Sequence, residues 1–295
     1  MKSFFPRTNK NGYARQIAKL ERKERIMRKH ADDCQERYGS TKTTNERNNQ
    51  GSPTAHHHIA AQSANSVDLY QWVYADERQG DPALKVRRVS PCARRQPLTC
   101  MQNFVPKLKD HILTCLLHQG DATTTRSFSS EERTKLIILQ DKLYFHSTMA
   151  VNYTTYDGRR ESETLNPRTH ADIMTLSQGD THPYEYSRIL GIFRVKVMHP
   201  SLGSKAREVD MLWVRSYEFD NTYQAGWEAR RFYRVHFTNS AGGDAFGFLD
   251  PQDVLRAAHL LPGFRYGRTQ ALLPRSLARW KSEGDEDWAC YHVNM

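Results

Sequence analysis

The apolar positions along the chain change their spacing once, near residue 139. Before this point they recur every three or four residues, which is the period of a helix with one buried face. After it, short runs rich in Val, Ile, Tyr, Phe and Thr are separated by Gly, Pro, Asn and Asp, which is typical of strands joined by turns. The pattern therefore predicts an α+β chain, in which a helical part comes first and a β-rich domain covers 139–295.

Four stretches of the N-terminal part have helical spacing, namely 13–39, 67–78, 104–118 and 129–141. The first is long and polar, and its apolar face is only a thin stripe marked by Ile17, Leu20, Glu24 and Met27. The third carries apolar residues on a single face and is expected to bury that face. The fourth offers Ser130 ahead of two acids, which suits the start of a helix.

The strand pattern is clearest at 187–199, where the side chains alternate from Phe193 onwards. Phe193, Val195 and Val197 share one face and the residues between them share the other, so this strand is expected to be half buried. Five or more such strands with turn signals between them predict a small barrel or sandwich.

Two local signals add detail to the β-rich part. Asp250 suits a helix N-cap and Pro251 suits the first helical position, so a short helix over 250–264 is expected to close the domain. The segment 166–168 is expected to be a turn, because Pro167 fixes the backbone there.

The net charge of +10 favours a nucleic-acid partner, and the position of this charge refines that interpretation. Residues 1–52 hold 13 Lys or Arg against 6 acids, a net charge of +7, and residues 86–102 hold four arginines and no acid. Together these two segments carry +11, which is one more than the net charge of the whole chain, so the remainder of the chain carries a net charge of −1. The basicity therefore belongs to an N-terminal arm over 1–55, which ends in a polar linker, and to the stretch 86–102.

We expect the arm helix to contact nucleic-acid phosphates without sequence specificity. Its densest basic cluster consists of Arg22, Lys23, Arg25, Arg28 and Lys29. The alternative is an ordinary solvated helix of mixed charge, in which Glu21 supports Arg25 at i,i+4. A DNA or chromatin partner implies a nuclear protein.

The sequence disfavours several other classes of protein. No apolar run reaches the length of a membrane span and the N-terminus lacks the apolar core of a signal peptide, so an intracellular protein without membrane contact is expected. The five cysteines form no C-x-x-C pair, which favours reduced thiols over disulfides or a zinc finger. The three adjacent histidines at 56–58 cannot all face one metal ion, so neither a metal nor a cofactor is expected.

A two-metal nuclease needs three carboxylates that converge on two Mg²⁺ ions. Here Asp172 and Asp210 stand alone in β-like segments, and the sequence has no nucleophile elbow, no phosphate-binding glycine loop and no H-E-x-x-H. The chain is therefore expected not to be an enzyme. Arg188 and Arg215 are expected to form salt bridges with Asp172 or Asp210.

Eight segments between residues 56 and 295 form an ordered set: "NFVPKLKDHIL", "NYTTYDGRR", "LNPRTHADIM", "HPYEYSRILGIF", "MLWVRSYEFD", "AFGFLDPQDVLRAAHLLPGF", "YGRTQALLP" and "DWACYHVNM". In sequence and in order they resemble the C-terminal region of Plavaka-type transposon proteins of mushroom-forming fungi. In full-length members of that family, a zinc finger and an RNase-H-like nuclease domain precede this region, and this chain contains neither. The resemblance implies a transposon-derived accessory region without the catalytic domain.

The resemblance also bears on the basic stretch 86–102, which interrupts the predicted helical region 56–138. In the family, the helix ending in "DPAL" passes almost directly to "FVPKLKDH". The stretch has the size of a small fungal intron, begins with a valine, whose codons start with GT, and can end in CAG. We interpret it as translated intron, and the alternative is a genuine disordered basic loop. Sequencing of the transcript across this junction distinguishes the two.

Three hypotheses for function remain. The first is a nuclear, non-catalytic accessory domain of a transposase that contacts DNA, chromatin or transposase subunits. The strand order is similar, at the level of fold, to bromo-adjacent homology domains of chromatin proteins, which implies binding rather than chemistry. The second is a residual metal-dependent nuclease, which requires converging carboxylates in the folded chain. The third is an inert transposon remnant. The sequence leaves the oligomeric state open.

Overall fold

The structure is a computed structural model. It describes residues 13–38, 55–60, 65–70, 72, 103–117, 128–155, 159–177, 179, 182–202, 205–226, 228–240, 243–273 and 286–294. The predicted linker up to residue 54 and the whole stretch 86–102 lie outside these residues, so the predictions made for both remain predictions.

The described part of the chain is dominated by strands. They are β1 (His57–Ile59), β2 (Asn65–Asp68), β3 (Ile137–Ile138), β4 (Lys142–His146), β5 (Met149–Thr154), β6 (Arg160–Leu165), β7 (Asp172–Leu176), β8 (Tyr184–Met198), β9 (Arg207–Phe219), β10 (Arg234–Phe237), β11 (Phe246–Leu249), β12 (Val254–Ala257), β13 (His259–Pro262), β14 (Arg268–Thr269), β15 (Asp287–Trp288) and β16 (Tyr291–Asn294). The prediction of a β-rich domain after residue 139 is confirmed.

Three helices have described bounds: α1 (Tyr13–Tyr38), α2 (Phe104–Leu117) and α3 (Ser130–Lys135). α1 and α2 match the predicted helices to within one residue. α3 begins at Ser130 as expected, but its N-cap is Ser129, which forms a capping box in which the Ser129 hydroxyl accepts from the backbone N–H of Glu132. α3 is shorter than predicted, because Ile137 and Ile138 pair with the end of β8 instead of continuing the helix.

The main sheet is antiparallel and runs in the order β12-β7-β8-β9-β10-β16-β13, with β2, β3, β4 and β11 attached at its sides. A three-stranded sheet, β1-β5-β6, and a two-stranded sheet, β14-β15, complete the described strands. The path of the main sheet starts and ends at different strands, so the described strands form no closed barrel. The barrel form of the sequence prediction is therefore not what the described strands adopt.

The two larger sheets share one cluster of buried aliphatic side chains. Met149, Val151 and Leu165 of the three-stranded sheet are fully buried and belong to the same cluster as Ile189 and Leu212 of the main sheet. β1 and β2 come from the predicted helical region 56–138, yet they pair with β5 and β4. Part of that region is thus built into the β-rich domain.

The prediction of a helix over 67–78 is wrong at its start. Residues Asn65–Asp68 form β2, and helical geometry begins only at Leu69. Pairing with β4 satisfies the backbone of this segment and outweighs its helical spacing, because strand formation depends on neighbouring strands more than on local pattern. Residues 73–78 lie outside the described part of the chain.

The predicted closing helix over 250–264 is also wrong. Asp250 does cap the backbone N–H of Gln252, at 2.8 Å, but the helix is a single 3₁₀ turn over Pro251–Asp253. The chain then extends into β12 and β13, which pair with β7 and β16. The predicted N-cap at Asp250 is confirmed, whereas the short apolar run after it forms strands.

The alternation predicted for β8 is confirmed. Phe193, Val195 and Val197 are each at most 1% exposed and face a core that includes the buried side of α2. Trp72 is partly buried, packs against this core and contacts Phe104 edge-on at a centroid distance of 5.3 Å. The predicted burial of one face of α2 is confirmed in the same cluster.

Candidate nucleic-acid interface

The long helix α1 lies against the β-rich domain through two small side chains. Ala18 is 3% exposed and, together with Ala14, packs in the cluster that contains Met174, Leu176 and Tyr184. Because both positions are alanine, no bulky side chain separates the helix backbone from the sheet at this contact.

The apolar stripe predicted for this helix is not its buried face. Leu20 and Met27 are 44% and 67% exposed, and Ile26 is exposed as well. Ala14 and Ala18, together with the polar contacts described next, determine which side of α1 faces the sheet. Hydrophobic spacing alone does not reveal this side.

Two arginines anchor α1 to the edge of the main sheet. Arg22 donates to the backbone carbonyl of Ser177, just after β7. Arg25 forms a salt bridge with Asp253 in the turn before β12, and both side chains are about four-fifths buried. Both anchors are polar contacts with the main sheet and its connecting turn.

A third anchor is the pair of Glu21 and Tyr184. The Tyr184 hydroxyl donates to the carboxylate of Glu21. Burial raises the pKa of Glu21, and this hydrogen bond and the nearby Arg256 oppose the rise. Burial is also the main cause that raises the pKa of Tyr184, so the phenol keeps its proton and acts as the donor.

The structure separates the five predicted phosphate-binding residues. Arg22 and Arg25 are the anchors just described. Arg28 contacts Glu24 on its own helix at 3.4 Å, and its charge adds to the effect of burial that lowers the pKa of His56 to about 4. Lys23 is exposed on the outer side, and the side chain of Lys29 lies outside the described residues.

Two basic residues on the outer side were not singled out from the sequence. Arg15 and Lys19 are exposed, and with Lys23 they stand at i, i+4 and i+8, which places them in a row along one face of α1. Their spacing was visible in the sequence. The local density of charge instead favours residues 22–29. Within that range, Arg22, Arg25 and Arg28 contact other groups of the protein.

The aspartates of the β-rich domain are held by arginines. Asp172 lies opposite Arg188 in register and receives two hydrogen bonds from it, at 2.8 and 2.9 Å. Asp210 lies opposite Arg194 and is bound in the same bidentate manner. The predicted salt bridge of Arg188 with Asp172 is confirmed.

Arg215 has a different partner from the one predicted. Its guanidinium binds Asp287 at 2.9 Å, and the two side chains are only 3% and 7% exposed. Asp287 lies in β15, far along the chain, and pattern reasoning restricted to neighbouring strands did not reach it. Arg188 and Arg215 lie directly opposite each other in register on neighbouring strands. The two positive side chains are each paired with a separate carboxylate, Arg188 with Asp172 and Arg215 with Asp287.

The described residues hold no further cluster of metal-binding side chains. Within them, no group of three or more His, Cys, Asp or Glu side chains is placed to hold a metal ion. Of the three adjacent histidines, His57 and His58 pair in β1 with β5. None of the helices described is long and apolar enough to cross a membrane.

The outer row of α1 is therefore the surface where the structure exposes basic side chains in a regular arrangement. Lys19 and Lys23 can approach a polyanion without disturbing the anchors of α1, whereas Arg15 stands near enough to the domain that its charge adds to the effect of burial in lowering the pKa of His182. Comparison of the chain with known protein families, with curated proteins and with solved structures finds no match.

Proposed function

We propose that this protein is a non-catalytic, transposon-derived accessory module that binds nucleic acid in the nucleus. The proposal joins the resemblance to the C-terminal region of Plavaka-type transposon proteins with one observation. Arg15, Lys19 and Lys23 form an exposed basic row on a helix whose other side is fixed to a folded domain.

A fixed helix with an outward basic row suits the phosphate backbone of DNA. Lysine and arginine side chains that neutralise phosphates release condensed counterions, and this release makes binding strong at low salt and weak at high salt. Phosphate contacts carry no sequence information by themselves. We therefore propose non-specific, salt-dependent binding to duplex DNA, with chromatin or transposase subunits as further partners.

The occupied aspartates support the non-catalytic part of the proposal. A two-metal nuclease needs carboxylates whose oxygens are available to the metal ions. Asp172, Asp210 and Asp287 instead accept bidentate hydrogen bonds from arginines. Charge-assisted pairs of this kind are strong, and each removes a carboxylate from metal binding.

The finer architecture belongs to the same proposal. We propose an α+β sandwich, similar to bromo-adjacent homology domains in strand order, that serves as a binding module. The packing of the three-stranded sheet on the main sheet supports a sandwich. α1 would then act as an arm carried on the edge of that module.

The double substitution Lys19→Ala/Lys23→Ala tests the DNA-binding surface. Affinity for a duplex of random sequence is expected to fall, and the slope of log K against log salt is expected to flatten by about 0.9 for each lost phosphate contact. Fluorescence anisotropy of a labelled duplex, titrated at several salt concentrations, measures both quantities. Both lysines are exposed, so the fold is expected to be unaffected.

The matched control is Lys135→Ala/Lys205→Ala, which removes two exposed lysines outside the arm, one at the end of α3 and one just before β9. This variant has the same net charge as the arm variant. Equal loss of affinity in both variants would mean that binding follows net charge and not the arm, and the proposal would be wrong. An unchanged salt slope in the arm variant would have the same consequence.

A further inference from the structure

A second surface of the protein combines exposed rings with arginines. The loop 263–268, "GFRYGR", follows β13 and alternates aromatic and basic residues. Phe264 is 73% exposed and Tyr266 is 48% exposed, although large rings are usually buried in soluble proteins. Arg265 and Arg268 are exposed beside them. We call residues 263–268 the ring–arginine loop.

The backbone of this loop is held firmly in place. The N–H of Gly263 donates to the carbonyl of Cys290 at 2.9 Å, and the N–H of Ala289 donates to the carbonyl of Gly267 at 3.0 Å. A Cβ at Gly263 would lie 2.5 Å from the Cys290 sulfur, so only glycine fits this contact. Gly267 has φ of 69°, which glycine adopts without strain. The exposed rings therefore sit on a pre-organised support.

The rings and guanidinium groups form one connected surface. On one side, Phe264 meets Trp288 edge-on at 5.1 Å, and the guanidinium of Arg268 lies 4.6 Å from the same Trp288 ring. On the other side, Arg234 lies 4.9 Å from the Tyr266 ring and 4.1 Å from the Tyr223 ring, and its charge is paired with Asp220 at 2.8 Å. The outward positive charge of this region therefore comes from Arg265 and Arg268, which stand beside the exposed rings.

A half-open cavity of about 250 Å³ adjoins the loop. Its walls include Pro262, Arg268, Trp288 and Tyr291. Glu286 also lines it and accepts a hydrogen bond from Gln270 at 3.3 Å, while Asp287 is paired with Arg215. The cavity offers an aromatic wall next to a cation, with space for a flat group.

We propose that the ring–arginine loop binds single-stranded nucleic acid by stacking bases on its rings while its arginines contact the phosphates. Bases stack on aromatic side chains whatever their identity, and a basic groove follows the backbone. A duplex hides the faces of its bases, so this surface favours a single strand. An acidic protein could engage the arginines, but it would not require exposed Phe264.

This inference rests on the proposed role in nucleic-acid binding but uses a different surface. The arm row on α1 offers lysines and arginine to phosphates, whereas the loop adds rings that only unpaired bases can use. The two surfaces therefore favour different nucleic acids: the arm favours duplex DNA and the loop favours a single strand.

The test compares Phe264→Ala with Ile137→Ala in the full chain. Both residues are exposed apolar side chains, at 73% and 55%, and Ile137 lies on β3 in a different part of the main sheet. The probes are a labelled oligothymidylate, an abasic strand of equal length and a duplex. Phe264→Ala is expected to weaken binding of oligothymidylate roughly tenfold, because one stacking contact is lost. Binding of the abasic strand and the duplex is expected to stay unchanged.

The same substitutions are repeated in the Lys19→Ala/Lys23→Ala background, so that non-specific binding by the arm does not mask the loop. In that background, a lower affinity for the duplex reflects the loss of the two arm lysines and does not bear on the loop. Unchanged oligothymidylate binding by Phe264→Ala in both backgrounds would overturn the loop proposal. If Arg265→Ala weakens the abasic strand and oligothymidylate equally while Phe264→Ala has no effect, the loop binds anions in general, which also overturns it. Displacement of the strand by polyglutamate at equal affinity would assign the loop to acidic proteins instead.

Discussion

Replacing Asp287 by alanine is expected to lower the free energy of unfolding by about 3–5 kcal/mol, because it leaves a buried arginine without its carboxylate. Arg215 is 3% exposed and lies 3.7 Å over the ring of Phe237, so water cannot replace the lost partner without opening the core. Urea denaturation followed by tryptophan fluorescence measures the change.

An exposed ion pair provides the matched control. Lys196 and Glu208 form a salt bridge at 3.1 Å with both side chains about half exposed. Glu208→Ala is expected to cost no more than about 1 kcal/mol, as is usual for surface pairs. The double variant Arg215→Met/Asp287→Leu is expected to recover much of the loss, since it removes both buried charges. A cost below about 1 kcal/mol for Asp287→Ala would contradict the account, since that is the range of a surface pair.

The strands with a strong local pattern could be predicted from the sequence. The alternation after Phe193 has period two over a long run, and only a strand places Phe193, Val195 and Val197 on one face. Helix α2 could be predicted equally well, because its apolar residues repeat at helical spacing on a single face. In both elements the local pattern and the tertiary packing agree.

Two helix predictions, over 67–78 and over 250–264, were wrong where the local pattern was short. Asp250 and Pro251 are good helix-start residues, and they do start a 3₁₀ turn, but the backbone of Val254–Ala257 finds a partner in β7. Asn65–Asp68 likewise pairs with β4. The pairing partner lies more than 70 residues away in each case, so no window of local sequence contains it.

The candidate site was predictable only in outline. Charge composition placed the basic surface on the first helix, and Arg15, Lys19 and Lys23 do lie exposed there. Which arginines turn inward depends on distant acceptors such as Asp253 and the carbonyl of Ser177. These acceptors come together only in the folded chain.

The closing helix predicted over 250–264 ends inside the loop 263–268, and the sequence pattern assigns no role to the rings of that loop. The decisive features are Gly263 against Cys290 and the positive φ of Gly267, and both are properties of the fold. The alternation of Phe264, Arg265 and Tyr266 was present in the sequence. A pattern of rings and arginines in a glycine-bounded loop is therefore a signal worth following when such a loop is exposed.

Acidification from pH 7 to pH 5 is expected to destabilise the protein by about 2 kcal/mol through His111 alone. Burial in α2 lowers the pKa of His111 to about 4, with a small opposing effect of Asp253. The imidazole stacks on Phe248 and contacts the sulfur of Cys115 at 3.6 Å, and neither contact offers a charge that would stabilise the protonated ring.

The sign follows from the proton balance. In the unfolded chain the pKa returns to about 6.5, so between that pH and about 4 the unfolded state binds a proton that the folded state does not. The stability is fully present above pH 6.5 and is lost as the pH falls toward 4. Burial also lowers the pKa of His56 to about 4 and that of His182, and both act in the same direction.

The measurement is urea denaturation of the wild type and of His111→Gln at pH 7 and pH 5. The variant lacks the titrating ring, so its loss of stability on acidification is expected to be about 2 kcal/mol smaller than that of the wild type, whatever its stability at pH 7. His259→Gln, on the exposed side of β13, is the matched control for the replacement of a histidine at the surface. If His111→Gln and the wild type lose the same free energy between the two pH values, His111 is protonated as easily in the folded state as in the unfolded one. Its ring would then have to be open to water, and the packing of α2 against β11 would be looser than the contact with Phe248 implies.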